Sequence, residues 1–173
     1  MQRYIYSTLA FLFLLCGTSA GYGQTTYVVS TAGPIFDIGT ALGMAVSGDE
    51  IIVMNGTYSS VNDRNLNLTG RDILIRSQSG PANCTIDVSM GGRAFIFNSG
   101  ETSAATIQGF TIINGAANNG AGISISSASS PSIVNCIFQN NNATGVGGAI
   151  YATGNGTNPR ITNCTFDMNT SGS

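Results

Sequence analysis

The sequence predicts an all-β chain: a single-stranded right-handed parallel β-helix of about 22–28 residues per coil, with a short N-terminal capping helix and a truncated C-terminal end. Three observations predict it. A segment pattern returns at a near-constant spacing. Within each unit the apolar alternation slips by one residue at a Gly or an Asn. A second Gly/Asn exchange follows three residues after the second strand of the unit.

The spacing is plain in the C-terminal half. Ile107–Ile112, Ile133–Phe138 and Ile161–Phe166 align, their starts separated by steps of 26 and then 28, and Ile123 answers Ile150 at a step of 27. Two independent places in the chain therefore carry one period. Inside each unit apolar and polar residues alternate, as they do when one face of a strand is buried. The alternation then slips. Ile161 points inward, and parity would put Asn163 inward next, yet apolar residues resume at Cys164 and Phe166. A one-residue slip means a bend at Gly109, Asn135 or Asn163, the residue types that best tolerate a left-handed backbone. Gly115, Asn141 and Asn169 repeat the exchange beyond the second strand and are read as a second turn.

Stacking such coils about 4.8 Å apart piles equivalent inward residues into columns. The expected columns are Ile107 on Ile133 on Ile161, Phe110 on Cys136 on Cys164, and Ile112 on Phe138 on Phe166. Asn135 and Asn163 are expected to form a turn-facing amide ladder. Cys136 and Cys164 become vertical neighbours, with packed thiols favoured over a disulfide between coils.

Upstream the pattern loosens. Ile51, Ile73 and Phe95, in equal steps of 22, read as equivalent strand positions, and Cys84–Ile86 as the second strand of one coil. Residues 24–50 are expected to form an N-terminal cap, a strand plus a short helix over Asp37 to Val46. Ile38, Leu42, Ala45 and Val46 share the apolar face there, and Asp37 is the N-cap. Such a helix would cover the unpaired backbone of the first coil. Residues 51–173 are the coils, incomplete at Ser173, so a longer reading frame is expected.

Residues 1–23 read as a secretory signal: Arg3, the apolar run Leu9 to Cys16, then small residues through Ala20. The run is short of the roughly 20 residues needed to span a membrane. Without it, five Arg face eight acids, a formal charge of −3. That balance argues against nucleic acid and against anionic lipid as partners. Cys84, Cys136 and Cys164 show no CxxC spacing, which argues against zinc.

Tyr27 to Val29, Gly48 to Val53 and Asn55 to Tyr58, with Gly147 to Ile150, Phe138 to Asn141 and Phe166 to Asn169, carry a resemblance. Residues 26–173 resemble the pectin-lyase-like right-handed β-helix superfamily, and the Gly-Gly-Ala-Ile and Phe-x-x-Asn motifs are similar to polymorphic outer membrane protein repeats. The resemblance implies a displayed cell-surface passenger, adhesin-like, with any anchor C-terminal to these residues.

Enzymes of that superfamily act on acidic polysaccharides with clustered acids. Here the acids are scattered, and adjacent Asp49 and Glu50 sit at a strand entrance, expected in solvent. Asp87 and Arg93 are the best acid–base pair, with a surface contact or none favoured over catalysis. Histidine is absent, which removes Ser-His and Cys-His schemes. The glycine runs near Gly120 and Gly145 lack the lysine and helix of a phosphate loop. No catalytic residue, cofactor or metal ligand is assigned. The expectation is an extracellular or cell-surface scaffold that binds carbohydrate or another surface ligand. The alternative is the N-terminal part of a polysaccharide lyase or glycoside hydrolase.

Overall fold

The computed structural model describes residues 3–5 and 24–172. The signal expected over residues 1–23 therefore lies, apart from Arg3–Ile5, outside the described residues. The chain is a right-handed parallel β-solenoid of about 5 turns. Each full turn visits up to four faces.

The first face is a seven-stranded sheet of Arg3–Ile5, Thr25–Val29, Glu50–Val53, Leu74–Ser77, Thr106–Gln108, Ser132–Val134 and Arg160–Thr162. A second face of five strands runs from Gly56–Tyr58 through Cys84–Asp87, Thr111–Ile113 and Ile137–Gln139 to Thr165–Asp167. The third is a narrow one of Ala116–Ala117, Asn142–Ala143 and Thr170–Ser171. Leu66–Asn67, Phe95–Phe97, Ile123–Ile125 and Ile150–Ala152 make the fourth.

The corner between the first two faces is where the alternation slips. Gly109, Asn135 and Asn163 have φ of 79°, 51° and 54°. Gly109 and Asn135 donate their backbone N–H to Val134 and Thr162 of the next coil at 3.0 and 2.9 Å. The left-handed residue lets the chain turn without losing its hydrogen bond to the neighbouring coil, which is why Gly and Asn occupy the site. On either side of it the register is strict. Ile107 pairs with Ile133 and Ile133 with Ile161, while Ile112 pairs with Phe138 and Phe138 with Phe166. These columns line a dry interior where Phe95, Phe97, Phe110 and Phe138 have no exposed surface. Each such side chain contributes about 1.5–3 kcal/mol by leaving water. Ile161 and Phe166 continue their columns but are 44% and 51% exposed, because no described coil covers them.

Two expectations about the earlier coils need correcting. Ile51 registers with Ile75 and not with Ile73, and Ile75 registers with Ile107. Phe95 belongs to the fourth face, between Leu66 and Ile123. The first face is thus wound unevenly: the detour from Ile75 to Ile107 is longer than that from Ile51 to Ile75, and longer than either regular step that follows. Ile73 and Ile75 share strand parity and are both fully buried, so alternation alone could not choose between them.

The helix over the first coil spans Ile38–Met44. Asp37 Oδ1 accepts from the Thr40 N–H at 2.7 Å, a side-chain N-cap. Ile38, Ala41 and Leu42 are buried, but Val46 is 58% exposed. The helix stops at Met44 and Ala45 is extended, so Val46 leaves the helical face on which it was expected.

Candidate functional site

The side chains with chemistry to offer are mostly used between coils. Asn141 is fully buried. Its Oδ1 accepts from the Gly115 N–H at 2.9 Å, and its Nδ2 donates to Ile112 O at 3.0 Å and to Asn169 Oδ1 at 2.8 Å. Asn169 Oδ1 also accepts from the Asn141 N–H, and its Nδ2 donates to Phe138 O at 2.8 Å. One amide per coil thus reproduces the hydrogen bonds of its neighbour inside the solenoid, and buried polar atoms are satisfied.

This corrects two readings. The left-handed residues at the second turn are Asn114, Asn140 and Met168, one position before Gly115, Asn141 and Asn169. Asn140 and Asn141 are both asparagines, and nothing in the pattern said which one bends the chain. The amide ladder runs through Asn141 and Asn169, whereas Asn135 and Asn163 act through their backbone conformation. Gly115 heads the ladder because a Cβ there would lie 1.9 Å from Ala121 O and 2.8 Å from Asn141 Oδ1.

Carboxylates play a similar part in the earlier coils. Glu101 is 1% exposed. It accepts from Gly70 N at 2.8 Å, Ser99 N at 3.1 Å and Ser129 Oγ at 2.7 Å, joining three successive coils. Burial alone would raise its pKa, but these hydrogen bonds outweigh it and hold the carboxyl below its ordinary range. Asp63, also buried, takes the N–H groups of Ile38 and Ser60 at 2.8 and 3.0 Å and so fastens the cap helix.

Asp49 and Glu50 are 4% and 7% exposed, not in solvent as expected. Asp49 accepts from Thr25 N and Val46 N, and Glu50 is paired with Arg76 at 2.6 Å. Asp49 bridges the strand Thr25–Val29 and the segment after the cap helix, and the Thr26 hydroxyl donates to Glu50 Oε2 at 3.3 Å, so neither carboxylate is left in solvent. Asp87 receives Ser89 N at 2.8 Å and Asn114 Nδ2 at 3.0 Å, and makes no salt bridge with Arg93. Sequence reasoning missed Glu101 because a lone acid in a loop gives no pattern to read.

The three cysteines among the described residues, Cys84, Cys136 and Cys164, lie in one column. Gly56 registers with Cys84, and Phe110, Cys136 and Cys164 follow one residue before the paired strands. The backbone bonds from Ile137 N to Phe110 O and from Thr165 N to Cys136 O, both 2.9 Å, set this order. All three cysteines are free thiols. Burial pushes Cys84 up to about 12. The Cys136 thiol donates to Val134 O at 3.3 Å and the Cys164 thiol to Thr162 O at 3.5 Å. The neighbouring Cys136 thiol lowers Cys164 against the opposing effect of burial, while the Cys164 thiol and burial together raise Cys136.

Outward, the second face carries a hydroxyl column, Thr57, Thr85, Thr111 and Thr165, broken by Ile137. Beside it run Asp87, Ile113, Gln139 and Asp167. Coil spacing places these groups about 4.8 Å apart. Between the cap helix and the first full coil lies an open cleft of about 480 Å³, lined among others by Thr40, Asn62, Arg64, Asn67 and Arg71. Arg71 ties this cleft together by donating to Leu68 O, Leu42 O and Ala45 O at 2.7–2.8 Å. The lining has two guanidinium groups and no carboxylate. No group of three or more metal-ligating side chains occurs among the described residues, and no described helix is long and apolar enough to cross a membrane.

The family described as a right handed beta helix region matches residues 71–173. No curated protein and no solved structure gives a significant match. The matched span covers more than half of the chain and takes in all the regular columns described above, and the chain belongs to the right-handed β-helix family.

Proposed function

We propose that this protein is a secreted or cell-surface scaffold that binds carbohydrate or another surface ligand along its outer faces. The observation that carries the reading is how its acids are spent. Asp49, Asp63 and Glu101 are buried against backbone N–H groups, and Glu50 is held by Arg76. Acid/base catalysis on a glycosidic bond needs a pair of carboxyl groups free to exchange protons with substrate. These carboxylates instead join turns to coils. The outward second face offers the Thr57, Thr85, Thr111 and Thr165 hydroxyls, the Gln139 amide and the Asp87 and Asp167 carboxylates at coil spacing, interrupted by Ile113 and Ile137. Such a row suits a polymer of sugars presenting hydroxyls at regular intervals.

The test is affinity electrophoresis of the protein through gels containing neutral or acidic polysaccharides, paired with an ultraviolet assay for unsaturated products on polygalacturonate with calcium. Retardation without product formation supports the scaffold reading. Steady product release would replace it with the lyase alternative, and mobility unchanged in every gel would remove carbohydrate as the ligand.

A further inference from the structure

The threonine row of the second face begins beside a hollow that the scaffold reading leaves unassigned. This cavity, about 240 Å³, is lined by Thr31, Phe36, Thr57, Ser59, Ser60 and Asp63, among others. Phe36 is 62% exposed, and the residues on either side fix it there. Ile35 is buried, and its carbonyl accepts from the Ser30 N–H at 3.0 Å. Asp37 caps the helix and also accepts from Asn62 Nδ2 at 3.3 Å. A hydrophobic residue just before an N-cap commonly packs on the first turn of the helix, but at this exposure most of the Phe36 ring is left free of such contact. The base of the ring is therefore anchored before any ligand arrives, which lowers the ordering cost of binding.

Hydroxyls surround the ring. The Thr31, Thr57 and Ser59 side chains are exposed and donate to no described residue. Asp63 is the one charged residue of the lining; it is 2% exposed, and the Ile38 and Ser60 N–H groups engage its carboxylate. The cavity thus presents an aromatic face and free hydroxyls without an available charge. A pyranose ring matches both parts, with its apolar C–H face and its polar edge. A uronate carboxylate would find no cation there, and an apolar peptide would cover the hydroxyls without pairing them.

We propose that this cavity binds one uncharged sugar unit of a polysaccharide, its C–H face on the Phe36 ring and its hydroxyls on Thr31, Thr57 and Ser59. The assignment rests on the carbohydrate reading above and narrows it to neutral glycans. Thr57 is also the first rung of the outward row through Thr85 and Thr111, so a chain seated on Phe36 runs on along the second face.

The full chain is run through gels containing hydroxyethyl cellulose, galactomannan or polygalacturonate, beside Phe36→Ala, Phe36→Tyr and Thr57→Val, with the Tm of each variant measured in parallel. The expected result is retardation of the wild type in a neutral gel, retained by Phe36→Tyr. Phe36→Ala should raise the apparent Kd about tenfold, and Thr57→Val should raise it too. If Phe36→Ala lowers the Tm, Thr57→Val carries the same test. Equal retardation of the wild type, Phe36→Ala and Thr57→Val overturns this site and leaves the carbohydrate reading standing. Retardation in polygalacturonate alone overturns the choice of an uncharged ligand. A wild type retarded in no gel removes this site and the carbohydrate reading together.

Discussion

Asn141 Nδ2 donates to Asn169 Oδ1 at 2.8 Å across one coil, and Asn141 Oδ1 caps the Gly115 N–H of the coil before. A single fully buried amide thus serves three levels of the solenoid. Asn141→Ala would leave the Gly115 N–H and Ile112 O without this partner in a dry interior, at about 1–3 kcal/mol for each orphaned group. Urea unfolding should show a total loss of about 2–6 kcal/mol. No measurable change in the urea midpoint would mean that water replaces the amide.

Asn135 makes the opposite case. Its contribution is a backbone at φ 51°. Asn135→Gly should therefore be close to neutral. Asn135→Val should cost at least about 1–2 kcal/mol, because a β-branched residue strongly resists that conformation. Gly109→Ala should be worse than neutral too, since its Cβ would lie 2.5 Å from Ser77 Oγ at φ 79°. Thermal denaturation of the three variants in parallel would rank them.

Position along one column should also decide cost. Ile133 is fully buried between Ile107 and Ile161, whereas Ile161 is 44% exposed. Ile133→Ala should lose about 2–5 kcal/mol through the cavity it leaves. Ile161→Ala should lose clearly less, since its outer side already meets solvent. Equal losses would show that the last coil is covered in solution.

Glu101 predicts a pH dependence. Its folded pKa lies below the ordinary 4.5. A depressed carboxyl contributes stability that is complete above its unfolded value and is lost as pH falls through the folded one. Glu101→Gln removes that contribution and turns an amide N–H toward other donors, so at neutral pH it should cost about 1.5–3 kcal/mol. The stability gap between wild type and variant should narrow as pH drops below 4.5. A gap that stays constant in acid would mean that the charge is not what matters.

How much could be read from the amino acids alone depended on the face. From Ile107 onward, turns, columns and corner residues repeat with little variation, and one-residue slips at Gly109, Asn135 and Asn163 reveal the bends directly. Earlier coils were harder for a physical reason. A short alternating strand such as Phe95–Phe97 looks the same on the first face as on the fourth, because burial of one side is all that alternation reports. Ile73 and Ile75 have the same parity, so the register hung on loop length. The buried carboxylates were invisible for a different reason: their partners are backbone N–H groups, which every residue but proline carries.

The short circuit from Ile51 to Ile75 and the long one from Ile75 to Ile107 end in the same register on the first face. Stacking is therefore indifferent to how far the chain wanders at a bend, provided it re-enters with the right parity. The longer coil makes its detour at the corner between Ser77 and Cys84, where Pro81–Asn83 form a short helical turn and Gln78 and Ser79 are exposed, so a cargo peptide spliced at Gln78–Ser79 could still re-enter the second face in register. The molecule then serves as a ruler, with graftable positions spaced along its length by the rise of one rung.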